Sequence, residues 1–142
     1  AADTAKLGSA TLRFGLLPDE GGHFLLIQHM GVARTMDFVM RKKIVTAEEA
    51  LGLGLVNEVV PLAELESRVS ELAMELANGP QVAMRLMKRS VYAAAELSFE
   101  QACEDIASKT AISDHHADAA AGVSAFKEKR APKFNEWLQK HE

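Results

Sequence analysis

Two adjacent carboxylates, Asp19 and Glu20, have the clearest potential for chemistry in this sequence. They follow Pro18, which fixes its own φ and favours an extended residue before it. They precede Gly21 and Gly22, which allow a tight turn or a close approach to a ligand. A carboxylate at such a junction can transfer a proton to or from a bound molecule. It can equally cap the following helix, because negative charge is favoured at a helix N-terminus. These residues alone leave both interpretations open.

The elements that must position this junction are short strands and helices. Residues 1–8 and 11–15 predict two short extended pieces. A nearly apolar helix follows from His23, and such a helix is expected to be buried. Gly31 ends it, and residues 32–40 predict another helix. We therefore expect alternating strands and helices in the first part of the chain.

The pattern changes near residue 61. Thr46 and Glu49 form a predicted capping box that opens a short helix, and residues 55–60 predict a strand. Beyond Pro61 the apolar spacing is helical throughout. The predicted helices cover residues 62–76, 82–94, 99–110 and 117–127, with a second capping box at residues 98–101. On the third of these helices Cys103 lies on the apolar stripe, so we expect it to be a core residue and not a nucleophile.

Composition predicts a soluble, mostly helical protein of about one domain. The chain has 142 residues, of which 48% are apolar and 25% charged. A net charge of −4 gives no electrostatic reason to expect a nucleic-acid partner or an anionic membrane. The single cysteine excludes an intramolecular disulfide and is typical of a reducing compartment. No signal peptide or membrane-spanning apolar run is evident, so we expect a cytoplasmic protein.

Three runs occur in an order that resembles the enoyl-CoA hydratase/isomerase (crotonase) superfamily. Residues 15–22 match the pattern Gly-Leu-x-Pro-Asp-x-Gly-Gly. Residues 46–61, beginning Thr-Ala-Glu-Glu-Ala-Leu-Gly-Leu-Gly-Leu-Val-Asn-Glu, resemble a second family run. Residues 122–134, beginning Gly-Val-Ser-Ala-Phe-Lys-Glu-Lys-Arg, resemble a third. The family's Thr-Gly-Arg before the second run is Arg41-Lys42-Lys43 here.

The resemblance implies a fold class and an organisation. It predicts an α/β protein, mostly helical in this chain, that corresponds to the C-terminal half of a family member. Residues 1–60 would be the last turns of the crotonase ββα spiral, and residues 61–142 a helical trimerisation domain. The family forms trimers or hexamers, so a homo-oligomer is expected. A missing N-terminal half, carried on a separate chain, is a further expected partner.

The resemblance also implies a chemistry. The substrate would be an acyl-CoA thioester, with no other cofactor, whose enolate is stabilised by two backbone N–H groups. Asp19 would be the catalytic carboxylate that moves the proton, with Glu20 as the runner-up. Thr11 occupies the position of a hydratase glutamate and cannot act as a base. Enoyl-CoA isomerisation is therefore the predicted reaction, and hydration is the alternative.

Two residues near the C-terminus match the family's substrate-binding positions. Phe126 would stack on the CoA adenine, and Lys129 would place a charge near a phosphate. The competing interpretation makes Phe126 a core residue and Lys129 a solvated charge. His115 and His116 do not predict a metal site, because adjacent helical side chains diverge and further ligands are not evident.

A rival function belongs to another class of protein. Residues 62–76, 82–94 and 99–110 each carry an apolar stripe that could serve contacts between copies of the chain. In that case the chain would be a non-catalytic trimerisation fragment without an oxyanion hole. The sequence leaves this alternative open beside the enzymatic one.

Overall fold

The computed structural model describes residues 1–18 and 21–141, and the contacts between residues divide the chain into two compact units, 1–70 and 71–142. The helices and strands, in chain order, are β1 (Lys6–Gly8), α1 (Gly22–Met40), β2 (Ile44–Thr46), α2 (Ala47–Gly52), α3 (Leu65–Ala77), α4 (Gln81–Ala94), α5 (Phe99–Asp114) and α6 (Ala117–Lys127). Short 3-10 turns cover Thr11–Phe14, Leu62–Glu64 and Glu136–His141. The boundary between the units falls within α3.

The first unit contains a small antiparallel ladder. β1 pairs with β2, with Leu7 opposite Val45. Residues 11–15 are not extended as predicted, because local hydrogen bonds close a 3-10 turn there. The predicted strand over 55–60 is also wrong, since only Val60 forms a bridge, to Ala2. In the described part of this unit, these extended residues have too few neighbouring strands to form a larger sheet.

Helix α1 consists of two arms joined at Gly31. The backbone of Gly31 has φ 74° and ψ 168°, which is not helical, so the prediction that Gly31 ends the first helix is confirmed. The predicted burial of that first helix is wrong. Phe24 and Leu25 are 58% and 54% exposed. An apolar sequence requires burial only where another element covers it, and described elements of this unit do not enclose these two side chains.

The core of the first unit lies where the second arm of α1 meets β2 and α2. Its buried residues are Met30, Phe38, Val39, Val45 and Ala50. The predicted capping box is present: Thr46 Oγ1 accepts from the Glu49 amide at 3.2 Å, and Glu49 Oε2 accepts from the Thr46 amide at 2.8 Å. These two bonds satisfy amides that the first turn of α2 would otherwise leave free, and they fix β2 to α2.

The second unit is helical in its described part. α4 packs on α5, and α5 contacts α6. The capping box at Ser98 and Gln101 and the predicted bounds of α6 are confirmed. The core placement of Cys103 is wrong, because this residue is exposed. Phe99 and Ile106, on the same predicted stripe, are 79% and 53% exposed.

A hydrogen-bonded chain ties the segment after α6 to the start of α4. Asp118 Oδ1 accepts from the Asn135 amide at 2.8 Å, and Asn135 Oδ1 accepts from the Gln81 amide at 3.2 Å. Asp118 is 6% exposed, so its carboxylate is a buried acceptor in the fold. His116 Nδ1 accepts from the Asp118 amide at 3.2 Å and caps α6. Both side chains thus have structural partners.

Helices α4 and α5 are also joined by a polar cluster. Lys109 Nζ donates to both carboxylate oxygens of Asp105, at 2.5 and 2.6 Å, and to Ser90 Oγ at 3.0 Å. Ser90 Oγ donates to Asp105 at 2.6 Å. The hydrogen bonds from Lys109 and then Ser90 hold the pKa of Asp105 below its usual 3.8. The folded state therefore favours the ionised carboxylate.

This cluster predicts an acid-dependent contribution to stability. Because the pKa of Asp105 is lowered on folding, its contribution is present above the unfolded pKa and is lost as the pH falls through the folded pKa. Asp105→Asn should therefore flatten the fall in unfolding midpoint between about pH 5 and about pH 2. Circular dichroism melts at several pH values would measure this. The exposed neighbour Glu104 supplies the control, and an equal flattening in Glu104→Gln would contradict the assignment to Asp105.

Candidate functional site

An apolar cavity of about 300 Å³ lies against both arms of α1. One arm contributes His23 and Ile27 to its wall. The remaining lining residues come from the second arm and from the segment before α1: Val32, Thr35, Met36, Val39 and Met40, with Leu12, Leu17 and Pro18. A concave apolar space with few polar groups is the usual form of a small-molecule site. This cavity is therefore the candidate site.

The bend at Gly31 forms this cavity. In an unbroken helix, residues 27 and 35 would lie about 12 Å apart along one axis, at a rise of about 1.5 Å per residue. The left-handed φ of Gly31 turns the second arm, and both arms then contribute to one wall. Val39 belongs at once to this wall and to the buried core. The cavity is thus built directly on the packed part of the unit.

The predicted catalytic carboxylates, Asp19 and Glu20, lie outside the described residues. Pro18, which precedes them in the sequence, lines the cavity. The first described residue after them, Gly21, has φ 73° and is the N-cap residue of α1. In the sequence, the acidic pair therefore directly follows a residue that lines the cavity.

Two threonine hydroxyls are buried near this region without a hydrogen-bond partner among the described residues. They are Oγ1 of Thr11 and Oγ1 of Thr35. Thr11 begins the 3-10 turn that carries Leu12 into the wall, and Thr35 lines the cavity itself. A threonine hydroxyl can donate or accept one proton in a hydrogen bond, but it does not titrate as a carboxylate does. Both hydroxyl oxygens are enclosed by protein atoms, so the accessible surface of the cavity is almost wholly apolar.

Phe126 and Lys129 lie in the second unit, at the end of α6. Phe126 is 84% exposed, so it is not a core residue among the described residues. Lys129 is exposed and has φ 54°. The Arg130 amide bonds to Ala125 O at 3.0 Å, and the Lys129 amide to Phe126 O at 3.2 Å. This is the Schellman closure of a helix, in which Lys129 occupies the left-handed position that glycine favours.

The same closure occurs at the end of α1. The Lys43 amide bonds to Phe38 O and the Lys42 amide to Val39 O, both at 3.0 Å. Lys42 has φ 53° and takes the left-handed position. Two lysines in this chain thus occupy a backbone conformation that disfavours any side chain. Glycine at such positions would have been the signal from which to predict these two turns, and it is absent at both.

A larger cavity of about 530 Å³ adjoins β2, and two of the charged residues that line it, Asp37 and Lys43, are paired with each other. Asp37 accepts from Lys43 and, at 3.1 Å, from Arg41. These hydrogen bonds, from Lys43 first, hold the pKa of Asp37 below its ordinary value. In the described ranges, 1–18 and 21–141, no three metal-ligating side chains form a cluster. His115 Nδ1 lies 2.8 Å from Ala111 O, and His116 caps α6 as described above.

Comparison with known proteins identifies the family. A family model described as enoyl-CoA hydratase/isomerase matches residues 1–139, so the chain belongs to that family. A probable enoyl-CoA hydratase from Rhodobacter capsulatus is 34% identical, over 94% of this chain and 52% of its own length. A carnitinyl-CoA dehydratase from Escherichia coli (strain SMS-3-5) is 35% identical, over 92% of this chain and 52% of its own. The chain spans about half the length of the curated relatives it matches.

Solved structures agree with this family and with its fold. The enoyl-CoA hydratase from Bacillus anthracis superposes with a TM-score of 0.89 at 29% identity, over 94% of this chain and 52% of its own. The enoyl-CoA hydratase from Mycobacterium smegmatis gives a TM-score of 0.86 at 27% identity, over 94% and 51%. The predicted family and the crotonase-type, mostly helical α/β fold are therefore confirmed. Among the described residues, no helix is long and apolar enough to cross a membrane.

One part of the prediction needs correction. The family model matches from residue 1 to residue 139, and the relatives are covered over only about 52% of their length. That coverage does not support the predicted assignment to the C-terminal half, and this part of the prediction is withdrawn. The same coverage gives no support to a C-terminal trimerisation domain at residues 61–142. Sequence motifs thus indicated the family, and the comparisons show the family and the share of the relatives that the chain spans.

The joint at Gly31 can be tested by one substitution. Gly31→Ala places a side chain at φ 74°, and we expect it to lower the free energy of unfolding by about 1–2 kcal/mol. Gly52→Ala is the matched control, because Gly52 ends α2 outside the left-handed region and has open space where the added methyl group would lie. It should be neutral or stabilising by up to about 1 kcal/mol. Urea unfolding of both variants gives the comparison, and equal effects would contradict the role assigned to Gly31.

Proposed function

We propose that the complete protein adds water to, or removes water from, an acyl-CoA thioester, and that this chain supplies the acyl-binding wall. The apolar cavity carries this proposal, because Pro18 lines it and is followed in the sequence by Asp19, the predicted catalytic residue. The relatives named enoyl-CoA hydratase and carnitinyl-CoA dehydratase support the reaction class. Each CH₂ group that the acyl chain buries in such a cavity contributes about 0.8 kcal/mol to binding.

The proposed chemistry needs one proton transfer next to the thioester. In this family's chemistry the enolate oxygen is held by backbone N–H donors, which stabilise charge that develops in the transition state. A carboxylate within hydrogen-bond reach then gives or takes the proton at the adjacent carbon or activates the water. Asp19 is the proposed carboxylate, with Glu20 as the alternative, and the apolar wall excludes bulk water from the reacting carbons.

Isomerisation of the double bond is the second candidate. Thr11, at the position where the family resemblance places a hydratase glutamate, has a buried hydroxyl that cannot act as a general base. A reaction that needs only one carboxylate fits this substitution better than one that needs two. The two reactions differ in substrate, so assays with crotonyl-CoA and with 3-hexenoyl-CoA distinguish them.

Asp19→Asn tests the proposed catalytic residue. In the protein as isolated, with any polypeptide that copurifies, we expect turnover of the preferred thioester to fall by at least about 100-fold. KM should change little, because asparagine keeps the size of the side chain. Glu20→Gln is the matched control and should retain most activity. The reverse pattern would assign the proton transfer to Glu20, and unchanged turnover in both variants would overturn a role for this pair.

We further propose that the end of α6 contacts the nucleotide part of CoA. The exposure of Phe126 supports this, since a phenyl ring at the surface can stack on a base. Lys129, three residues further on, is also exposed, and a lysine side chain can pair with a phosphate as a point charge. A lysine in a left-handed backbone position costs about 1 kcal/mol relative to glycine.

Lys129→Gly should therefore separate stability from binding. Relief of the left-handed strain should raise the free energy of unfolding by up to about 1 kcal/mol. Loss of the charge should weaken CoA binding about two- to fivefold, as measured by isothermal titration calorimetry. Lys42→Gly is the matched control, because Lys42 has the same closure and φ. It should be stabilised similarly and keep its CoA affinity. Equal affinity loss in both variants would contradict a specific role for Lys129.

A further inference from the structure

One ring nitrogen of His116 faces both a donor and an acceptor of Asp118. The nitrogen Nδ1 lies 3.2 Å from the Asp118 amide nitrogen and 3.4 Å from Asp118 Oδ2. Oδ2 is buried and has no hydrogen-bond partner among the described residues. The side chains of His116 and Asp118 are 23% and 8% exposed, so both are largely shielded from water. A proton on Nδ1 would therefore change which atom of Asp118 it bonds.

This nitrogen cannot serve both atoms at once. In a neutral imidazole that carries its proton on Nε2, Nδ1 is an acceptor, and it bonds the Asp118 amide as the cap of α6. In the protonated ring Nδ1 is a donor, which excludes the amide and leaves Oδ2 as its partner. Thr46 and Ser98 cap α2 and α5 with hydroxyls, which do not titrate as an imidazole does. The cap of α6 differs from these two because it can respond to pH.

The carboxylate beside this ring also holds the segment that follows α6. Asp118 Oδ1 accepts from the Asn135 amide at 2.8 Å. The same segment contacts His116 directly, because the Trp137 ring packs against the imidazole with centroids 5.5 Å apart and planes 87° apart. A bond from His116 to Oδ2 would give both oxygens of Asp118 a partner. It would thereby fix the carboxylate that anchors Asn135.

The charged residues that line the cavity beside His116 are acidic. This cavity, of about 380 Å³, is lined by Asp114 from α5 and by Asp118 from α6. The residues that other elements contribute, including Ala83 and Phe134, carry no charge. On the segment after α6 the charged side chains next to Phe134 and Trp137, Lys133 and Glu136, are exposed. The neighbouring ring of His115 is occupied on its own helix, where Nδ1 lies 2.8 Å from Ala111 O.

Two opposing effects decide which partner a protonated ring takes. The N-terminus of α6 carries a partial positive charge, which opposes a cation there, and protonation also removes the neutral bond to the Asp118 amide. A charge-assisted hydrogen bond is about twice as strong as a neutral one. It is strengthened further where the carboxylate is buried, as at Asp118. The bond to Oδ2 therefore outweighs the lost cap.

We propose that His116 is a pH-sensitive latch for the segment that carries Asn135 and Trp137. As the pH falls, protonation of His116 replaces the cap of α6 with an ion pair to Asp118 Oδ2, and the segment is held more tightly to the start of α6. The added hold is present at low pH, and it is lost as the pH rises and His116 gives up its proton. This latch does not depend on the proposed function, and no thioester is needed to test it.

Hydrogen exchange at the Asn135 amide, followed by NMR, measures this hold in the 142-residue chain. After correction for the intrinsic pH dependence of exchange, we expect protection about three- to tenfold higher at about pH 5.5 than at about pH 7.5. In His116→Asn the protection should be equal at the two pH values, because asparagine caps a helix without titrating. Equal or lower protection at the lower pH in the unmodified chain would overturn the proposal. A difference that persists in His116→Asn would overturn it as well.

Trp137, the one tryptophan in the sequence, gives a second readout of the same proton. Its fluorescence should change with pH in a transition that His115→Asn keeps and His116→Asn abolishes. A transition that survives in His116→Asn would mean that Trp137 senses another group, contrary to the latch. Should His116→Asn not fold, His116→Ser replaces it, since serine also caps helices. Nitrogen-15 spectra of the unmodified chain should show the neutral His116 ring protonated on Nε2, and a proton on Nδ1 instead would exclude the exchange of partners.

Discussion

The bend at Gly31 is the constraint on which the first unit depends. Because this residue has φ 74°, α1 changes direction, and its second arm places Phe38 and Val39 against Val45. The same change of direction lets both arms line one apolar cavity. The core and the candidate site therefore share a backbone joint. In a longer chain that surrounded these elements, the bend at Gly31 would still determine the shape of the cavity wall.

The sequence predicted best the features of the fold that depend on residues close together in the chain, such as capping boxes and helix ends. The capping boxes at Thr46 and Ser98 and the bounds of α6 follow from side chains a few residues apart, so they need no distant partner. Gly31 ended the first helix for the same reason. Strands over 11–15 and 55–60 were wrong because a strand needs a neighbour, which the described part of the unit does not provide. The predicted burial of Cys103 was wrong, because an apolar stripe on a helix does not determine whether another element covers it.

The candidate site shows the same division. The carboxylates after Pro18 stay a prediction from residue types and family resemblance, because Asp19 and Glu20 lie outside the described residues. Neither the cavity nor the buried Thr35 hydroxyl could be predicted, since both arise from two arms that meet only after the chain bends. The left-handed backbone conformations of Lys42 and Lys129 could not be predicted, because the glycine that usually indicates them is absent at both positions. Geometry was needed to recognise each of these features.

The joint in α1 also has a dynamic consequence. Gly31 has no side chain, and open space surrounds the position that its Cβ would occupy. Its two dihedral angles are therefore less restricted than those of any other residue type, and small changes in them would move one arm relative to the other. In a hinge motion, the residue at the joint takes up most of the change in φ and ψ, while the helical arms keep their own conformation. The width of the apolar cavity is thus an adjustable quantity, which rotation at one residue changes.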